Sequence, residues 1–133
     1  MLLLWGSQPG LWQKEINSMD ISIGIDLAEI GRFSKIEKES RFAKNIFTSR
    51  EIESCFKKKN PAESLAARFA AKEAVKKTLK ENVRFNEIEI INEKTGKPEI
   101  NFIDKKLNKK YKPLISITHA DKYALAVCLM FKP

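Results

Sequence analysis

Apolar and polar residues alternate near the start of the chain. Between residues 20 and 27 every second position is apolar, and these positions are Ile21, Ile23, Ile25 and Leu27. A period of two predicts a half-buried β-strand, with Asp26 and Gly24 on the face opposite the isoleucines. The spacing that follows predicts a helix whose apolar positions are Ile30, Phe33 and Ile36.

Two helix starts are marked by capping residues. Thr48 and Glu51 have the spacing of a capping box, which predicts a short helix from that point. Asn60 is suited to the N-cap position and Pro61 to the first helical position. The apolar pattern after this boundary predicts the longest element of the chain, a helix from 61 to about 80.

The second half of the chain predicts strands. Residues 87–91 and 99–103 flank a turn signal at 94–97, so they are expected to form a hairpin. Residues 114–118 alternate again, and residues 123–131 are apolar on both faces, as a central strand would be. A strand, then helices, then strands predict an α+β fold, in which an antiparallel sheet packs against one long helix and shorter helices.

The length of 133 residues fits one domain. Residues 1–18 lack the basic start and long apolar stretch of a signal peptide, and Met19 follows them directly before the first strand pattern. We therefore divide the chain into an N-terminal extension, 1–18, natural or added during cloning and expected to be disordered, and a single domain, 19–133. No apolar run is long enough to predict a membrane span.

The charge and cysteine content narrow the chemistry. There are 25 Lys+Arg against 17 Asp+Glu, a net charge of +8, which implies an anionic partner. Charge alone does not choose among nucleic acid, a polyphosphate cofactor, an acidic protein and a basic surface that only confers solubility. One histidine and two distant cysteines argue against a zinc site, and they favour the reducing cytoplasm.

Two carboxylates interrupt apolar patterns. On a helical wheel Glu73 lies about 40° from Phe69, and a carboxylate buried there needs a partner or a metal. The alternative is an i,i+4 pair with Lys77 on a partly solvated edge. Asp26 ends a strand beside Gly24, which suits either a ligand site or an N-cap for the next helix. Two carboxylates with few other ligands suit Mg²⁺, which also binds substrate phosphates.

His119 follows a strand end and is the only histidine. A lone histidine is most often structural, while the hydroxyls of Ser116 and Thr118 share one strand face and can meet a phosphate. The sequence contains neither a G-x-x-x-x-G-K-[ST] loop nor a G-x-G-x-x-G fingerprint, and no Ser-His-Asp arrangement is justified.

Five motifs in order resemble the holo-acyl-carrier-protein synthases, the short 4′-phosphopantetheinyl transferases. The two stronger matches are Ile23-Gly24-Ile25-Asp26-Leu27 with Ile30 and Arg32, and Arg68-Phe69-Ala70-Ala71-Lys72-Glu73-Ala74 with Lys77. The weaker ones are Phe47-Thr48 with Glu51, Gly96-Lys97-Pro98, and Ser116-Ile117-Thr118-His119. The resemblance covers about 19–130.

The resemblance implies that coenzyme A donates its phosphopantetheine arm to a serine of apo acyl carrier protein, with adenosine 3′,5′-bisphosphate as the other product. It implies a role in fatty acid biosynthesis and a Mg²⁺ requirement, with Asp26 and Glu73 as metal ligands. Lys77 would contact phosphate. The general base is left open between Glu73, acting through a water, and Lys77.

The resemblance also implies binding surfaces. Arg68 and His119 would lie in the coenzyme site, joined by Ser116, and Arg32 would face the acidic carrier protein. Short members are homotrimers with active sites between subunits, and neither nucleic acid nor membrane is an implied partner. Members often have a glycine-rich stretch after the long helix, whereas 79–83 contains no glycine, so we assign no coenzyme contact there.

Two other classes explain part of the pattern. A small nucleic-acid-binding module accounts for the positive charge, but it leaves Glu73 without a role and expects exposed aromatic residues among the basic ones. A catalytically inactive interaction protein of the same fold is disfavoured because Asp26 and Glu73 are both present.

Overall fold

The computed structural model describes residues 10–11, 20–92 and 94–132, so the extension predicted for 1–18 lies outside the described residues except at two positions. The elements in chain order are β1 (Ile21–Glu29), a 3₁₀-helix (Ile30–Phe33), α1 (Arg41–Ile46), α2 (Ser49–Phe56), α3 (Pro61–Lys76), a second 3₁₀-helix (Phe85–Glu87), β2 (Ile88–Asn92), β3 (Pro98–Phe102), α4 (Lys105–Lys110), β4 (Lys112–Ala120) and β5 (Tyr123–Phe131).

The antiparallel strands fall into two sheets. One has the order β1-β5-β4, with β5 in the centre as its two apolar faces predicted. The other is the predicted hairpin of β2 and β3. Together with the long helix α3, these sheets confirm the α+β class. Among the described residues, none of the helices has the length and apolar character needed to cross a bilayer.

Local capping explains where the helices begin. At the start of α2, the backbone N–H of Glu51 donates to the Thr48 hydroxyl, and the backbone N–H of Thr48 donates to the Glu51 carboxylate. The predicted capping box is therefore complete. At the start of α3, the Asn60 side chain accepts from the backbone N–H of Glu63, and Pro61 is the first helical residue. Both starts are confirmed.

Two helices differ in length from the prediction. The segment after β1 makes only one 3₁₀ turn, where the Ser34 hydroxyl donates to the Gly31 carbonyl and so ends the turn. The helix α3 ends at Lys76 rather than near residue 80. There the Thr78 hydroxyl donates to the Val75 carbonyl at 2.6 Å, which satisfies a carbonyl that would otherwise continue the helix.

The core forms where α3 packs on the sheet through small residues. The alanines of α3 that meet β1 and β5 are fully buried, as are those of β5 that face them: Ala66, Ala70, Ala71, Ala74, Ala124 and Ala126. Gly24 permits the closest approach. A Cβ built on it would lie 2.0 Å from the Ala74 carbonyl oxygen, so a side chain at this position cannot fit. The backbones of β1 and α3 are therefore in direct contact.

The strand β1 is half-buried as predicted, and its small-residue face is the buried one. Gly24 and Ala28 face α3, whereas the large side chains opposite them are exposed, Ile23 to 69%, Ile25 to 54% and Leu27 to 57%. Leu114, in the other outer strand, is exposed on the same side. We call this apolar surface, formed by Ile23, Ile25, Leu27 and Leu114, the outer sheet face.

Candidate active site

The contact between β1 and α3 brings the first predicted site residues together. The Lys77 ammonium group donates to the Ile25 carbonyl at 2.7 Å and lies 3.3 Å from Asp26 Oδ1. The Asp26 side chain is largely buried on the helix-facing side of the sheet. Because Asp26 lies inside β1, and the residue that precedes the 3₁₀-helix is Glu29, the N-cap alternative for Asp26 is wrong.

Glu73 comes to the same place from the helix. It precedes Ala74, whose carbonyl fills the space above Gly24, and it lies one helical turn before Lys77. In the described part of the chain its half-buried carboxylate has no hydrogen bond or ion pair, because Lys77 is paired with Asp26 instead. The i,i+4 ion pair between Glu73 and Lys77, which the sequence pattern also allowed, is therefore not formed.

The donor set of this cluster fits a magnesium ion. Both groups are carboxylates, the hard oxygen ligands that Mg²⁺ prefers, and Asp26 already lies beside a cationic group. Within the described ranges no group of three or more His, Cys, Asp or Glu side chains is placed to hold a metal. Two protein carboxylates suit Mg²⁺, which keeps waters and shares substrate phosphates rather than occupying a full protein cage.

Arg68 lies deeper than a surface ligand would. It is 5% exposed, and its guanidinium group donates to the hydroxyls of Ser64 at 2.7 Å and Ser54 at 3.3 Å. Its Nε is buried and has no hydrogen-bond partner among the described residues. The side chain borders a cavity of about 180 Å³ that Arg50 and Glu89 also line. An arginine that borders a polar cavity is a candidate ligand for an anion.

His119 and Ser116 lie on β4, on opposite faces of the strand. His119 Nε2 is 3.3 Å from the carboxylate of Glu63 in the first turn of α3, and both residues line a pocket of about 440 Å³ with Lys58 and Lys59. Ser116 is exposed on the outer face of the sheet, opposite Val127 of β5. A basic pocket at His119 can accept an anionic ligand.

Within a single chain, His119 and Ser116 lie away from the two carboxylates. Glu63, the partner of His119, lies ten residues before Glu73, or about 15 Å along the helix axis. The structure thus pairs Asp26 with Lys77 and places Glu73 one helical turn before Lys77, beside the contact of Ala74 with Gly24. Within the described part of the chain, none of its contacts joins Ser116 or His119 to these residues. Arg32 is also separate. It is exposed in the last turn of the 3₁₀-helix that follows β1.

The glycine-free segment 79–83 is held by a network that the sequence pattern did not indicate. Glu81 accepts a hydrogen bond from the Tyr111 hydroxyl at 2.7 Å and is paired with Lys110. These two donors lower the pKa of Glu81 from 4.5 to about 2. Because about 30 residues separate the partners in sequence, no local spacing could have revealed the network.

Comparison with known proteins identifies the family. The family model described as the 4′-phosphopantetheinyl transferase superfamily matches residues 22–128, which include the carboxylate cluster, Arg68 and His119. The chain therefore belongs to the 4′-phosphopantetheinyl transferase superfamily.

Within this superfamily, the similar proteins are holo-[acyl-carrier-protein] synthases. The one from Chlorobaculum parvum is 38% identical over 116 residues, which covers 83% of this chain and 97% of the relative. The one from Caldanaerobacter subterraneus is 40% identical over 120 residues, covering 84% and 94%. The enzyme class is accordingly that of the holo-[acyl-carrier-protein] synthases.

A solved structure supports the same fold. The holo-(acyl-carrier-protein) synthase of Bacillus anthracis, crystallised in complex with CoA (3′,5′-ADP), superposes with a TM-score of 0.70. It is 30% identical in sequence, and the match covers 84% of this chain and 96% of that one. The predicted phosphopantetheinyl transferase fold is confirmed.

Proposed function

We propose that this chain transfers the 4′-phosphopantetheine group of coenzyme A to a serine of apo acyl carrier protein, releases adenosine 3′,5′-bisphosphate, and supports fatty acid biosynthesis. The observation that carries the proposal is the cluster of Asp26, Glu73 and Lys77 where β1 meets α3. The names of the relatives and the coenzyme bound to the Bacillus anthracis protein support both substrates.

The cluster can perform each task that this transfer requires. The serine oxygen attacks the phosphorus that carries the pantetheine arm, the bond from this phosphorus to the oxygen bridging to the adenosine phosphate breaks, and a base takes the hydroxyl proton. Mg²⁺ bound by Asp26 and Glu73 would neutralise charge developing on the pyrophosphate. Lys77 would hold a phosphate oxygen, and the base would be either Glu73 through a water or Lys77.

We assign the coenzyme phosphates to Arg68, His119 and Ser116. Anion binding is supported at Arg68 by its buried Nε, which has no partner in the part of the chain that the structure describes, and at His119 by the neighbouring lysines. His119 contacts Glu63, about 15 Å before Glu73 along α3, and this separation supports a site completed by a second copy. We also propose a homotrimer, and the outer sheet face supports association between copies, since an exposed apolar patch commonly marks an interface.

We assign carrier-protein docking to Arg32. It is exposed six residues after Asp26, within a segment that also carries the exposed Lys35 and Arg41. Positive charge near the site would steer an acidic partner toward it. We expect Arg32→Ala to raise the KM for the carrier protein several-fold and to leave the KM for coenzyme A unchanged. Arg84→Ala, at another exposed arginine, should change neither, and an unaltered carrier KM in the Arg32 variant would refute the docking role.

We place the reaction in the cytoplasm. The two thiols, Cys55 and Cys128, are buried and free. Burial raises the pKa of Cys128 to about 11, so this thiol stays protonated and unreactive near neutral pH. Free, protected thiols suit a reducing compartment.

The proposal is tested by intact mass spectrometry of an apo acyl carrier protein. The carrier is incubated with this chain, coenzyme A and Mg²⁺, and a parallel sample contains EDTA. We expect the phosphopantetheine adduct only where free metal is present. Equal adduct in EDTA would refute the metal requirement. No adduct in either sample, from a folded chain that binds coenzyme A, would refute the transferase assignment for that carrier.

A further inference from the structure

The motif around Glu73 contains a lysine to which the proposed reaction gives no role. Lys72 directly precedes Glu73 in α3, and its side chain is completely buried, so its ammonium group does not reach a substrate. It donates to Glu51 Oε1 at 2.5 Å, to the Ile46 carbonyl at 2.6 Å and to the Phe85 carbonyl at 3.0 Å. These contacts use all three donors of an ammonium group.

The carboxylate of Glu51, the partner of Lys72, is also occupied by hydrogen bonds. Glu51 accepts from the backbone N–H of Thr48 at 2.9 Å through Oε1 and from that of Ile90 at 2.9 Å through Oε2. The Lys72–Glu51 pair therefore connects α3 with the end of α1, the start of α2, the second 3₁₀-helix and β2. We call this set of contacts the lysine cage, formed by Lys72 with Glu51, Ile46 and Phe85.

A gain in folding stability does not by itself explain the buried ion pair of Lys72 with Glu51. Removing two charges from water is costly, and apolar residues of similar volume often serve a core as well or better. What apolar residues do not supply is direction, because three hydrogen bonds to fixed groups hold the helix at one rotation about its axis. The cage fixes one side of α3, and the backbone contact of Ala74 with Gly24 fixes another.

Helix rotation decides where the neighbouring carboxylate points. Successive residues of an α-helix are about 100° apart, so a rotation of α3 that frees Lys72 also turns Glu73 away from Asp26. We propose that Lys72 is a positioning residue, which holds α3 at the rotation that presents Glu73 beside Asp26 for the metal. This inference rests on the proposed function, because Glu73 must be a metal ligand for its direction to matter.

The test compares metal binding in a variant that loses the cage charges together. In the double variant Lys72→Met with Glu51→Gln, the core stays neutral, and the new amide can still accept one backbone N–H and donate to one carbonyl. Circular dichroism and thermal unfolding establish the fold, and Mn²⁺ titration followed by electron paramagnetic resonance, with coenzyme A present, measures the metal. We expect the dissociation constant for Mn²⁺ to rise about tenfold or more, as loss of outer supporting contacts does elsewhere.

A matched control separates positioning from general destabilisation. Val75→Ala removes buried packing from the same helix without touching the cage, so it should lower the unfolding temperature and leave Mn²⁺ affinity unchanged. Transfer by the double variant should partly recover at high metal concentration. If the double variant does not fold, Lys72→Gln with Glu51→Gln takes its place, because this pair also keeps the core neutral and a Gln amide can still donate to a carbonyl.

Three outcomes would overturn the inference: a folded cage variant with the affinity of the original chain, an equal loss of affinity in Val75→Ala, or an original chain that binds no Mn²⁺. An original chain that binds Mn²⁺ with coenzyme A but transfers nothing would instead refute the proposed function. Because metal binding is measured directly, the two failures are distinguishable.

Discussion

Gly24 controls how closely the two candidate metal ligands approach. A methyl group there would collide with the Ala74 carbonyl at 2.0 Å, and backbone on both sides leaves nothing flexible to yield. We expect Gly24→Ala to push β1 from α3, to cost about 1–3 kcal/mol of stability as overpacked cores do, and to reduce transfer sharply. Urea unfolding and the mass assay measure the two effects.

Gly31 offers the matched control. A Cβ on Gly31 would meet nothing closer than the Glu29 carboxylate at 3.8 Å, which is ordinary contact. Gly31→Ala should therefore leave transfer near its original rate. Equal activity in the two alanine variants would contradict the view that the contact at Gly24 brings the site together.

A substitution of Asp26 should affect the reaction without affecting the fold. Asp26→Asn keeps the shape of the side chain but removes the charge that faces Lys77, and an ion pair whose lysine is half exposed is worth only about 0.2–1 kcal/mol. We expect a folded protein whose kcat falls at least about a hundredfold, the scale seen when a transition-state charge loses a stabilising group.

Glu29→Gln provides the comparison for Asp26→Asn. Glu29 is exposed at the end of the same strand, so its charge can be removed without disturbing the cluster. We expect nearly unchanged transfer from it. An Asp26→Asn variant as active as Glu29→Gln would exclude Asp26 as a metal ligand.

At the scale of elements, the sequence predicted what short-range chemistry decides. Thr48 with Glu51, and Asn60 with Pro61, marked the starts of α2 and α3 correctly because caps form between residues three or four apart. The end of α3 was predicted too late. There the Thr78 hydroxyl competes with the helical backbone N–H for the Val75 carbonyl. The pattern of alanines along the helix does not indicate this hydrogen bond.

The candidate site was also predictable only where short-range patterns reveal it. Asp26 and Glu73 were visible because a carboxylate within an apolar pattern requires an explanation. The pairing of Lys77 with Asp26, rather than with Glu73 on its own helix, required the register of β1 against α3. Glu81 with Tyr111, and Lys72 with Glu51, are partners distant in sequence, so only the fold reveals them.

The segment after α3 should respond to acid through Glu81. Its pKa is lowered to about 2 in the folded chain, chiefly by the hydrogen bond from Lys110 and then by that from Tyr111. A carboxyl whose folded pKa lies below its unfolded value of 4.5 stabilises the fold above that value, and the contribution is lost as the pH falls from 4.5 toward 2.

Glu81→Gln should therefore be less stable than the original chain at pH 7, and the difference should shrink as the pH falls from 5 toward 2. Urea midpoints across this range measure it. Glu29→Gln again serves for comparison, since it removes an exposed carboxylate outside the network. A constant difference between the original chain and Glu81→Gln at all pH values would show that the contact with Tyr111 and Lys110 adds nothing through its charge.

For the whole molecule, the outer sheet face predicts assembly. If the proposed assembly buries the outer sheet face, a lysine in place of Ile25 puts a charge inside an apolar interface, so we expect Ile25→Lys to be a folded monomer. Light scattering after size exclusion measures the mass. Ile103→Lys is the matched control, since Ile103 is comparably exposed, at 51%, but follows β3 rather than lying on this face. Equal masses for the two variants would refute assembly through the outer sheet face.

The exposed isoleucines and leucines of that face also bear on how the protein is made. In a newly synthesised chain, β1 buries its small residues against α3 and leaves Ile23, Ile25 and Leu27 in water. Until another surface covers them, such a chain binds chaperones readily and is prone to non-specific aggregation. The yield of usable protein in a cell should thus depend on how quickly partners meet relative to how quickly the exposed face is captured by other surfaces.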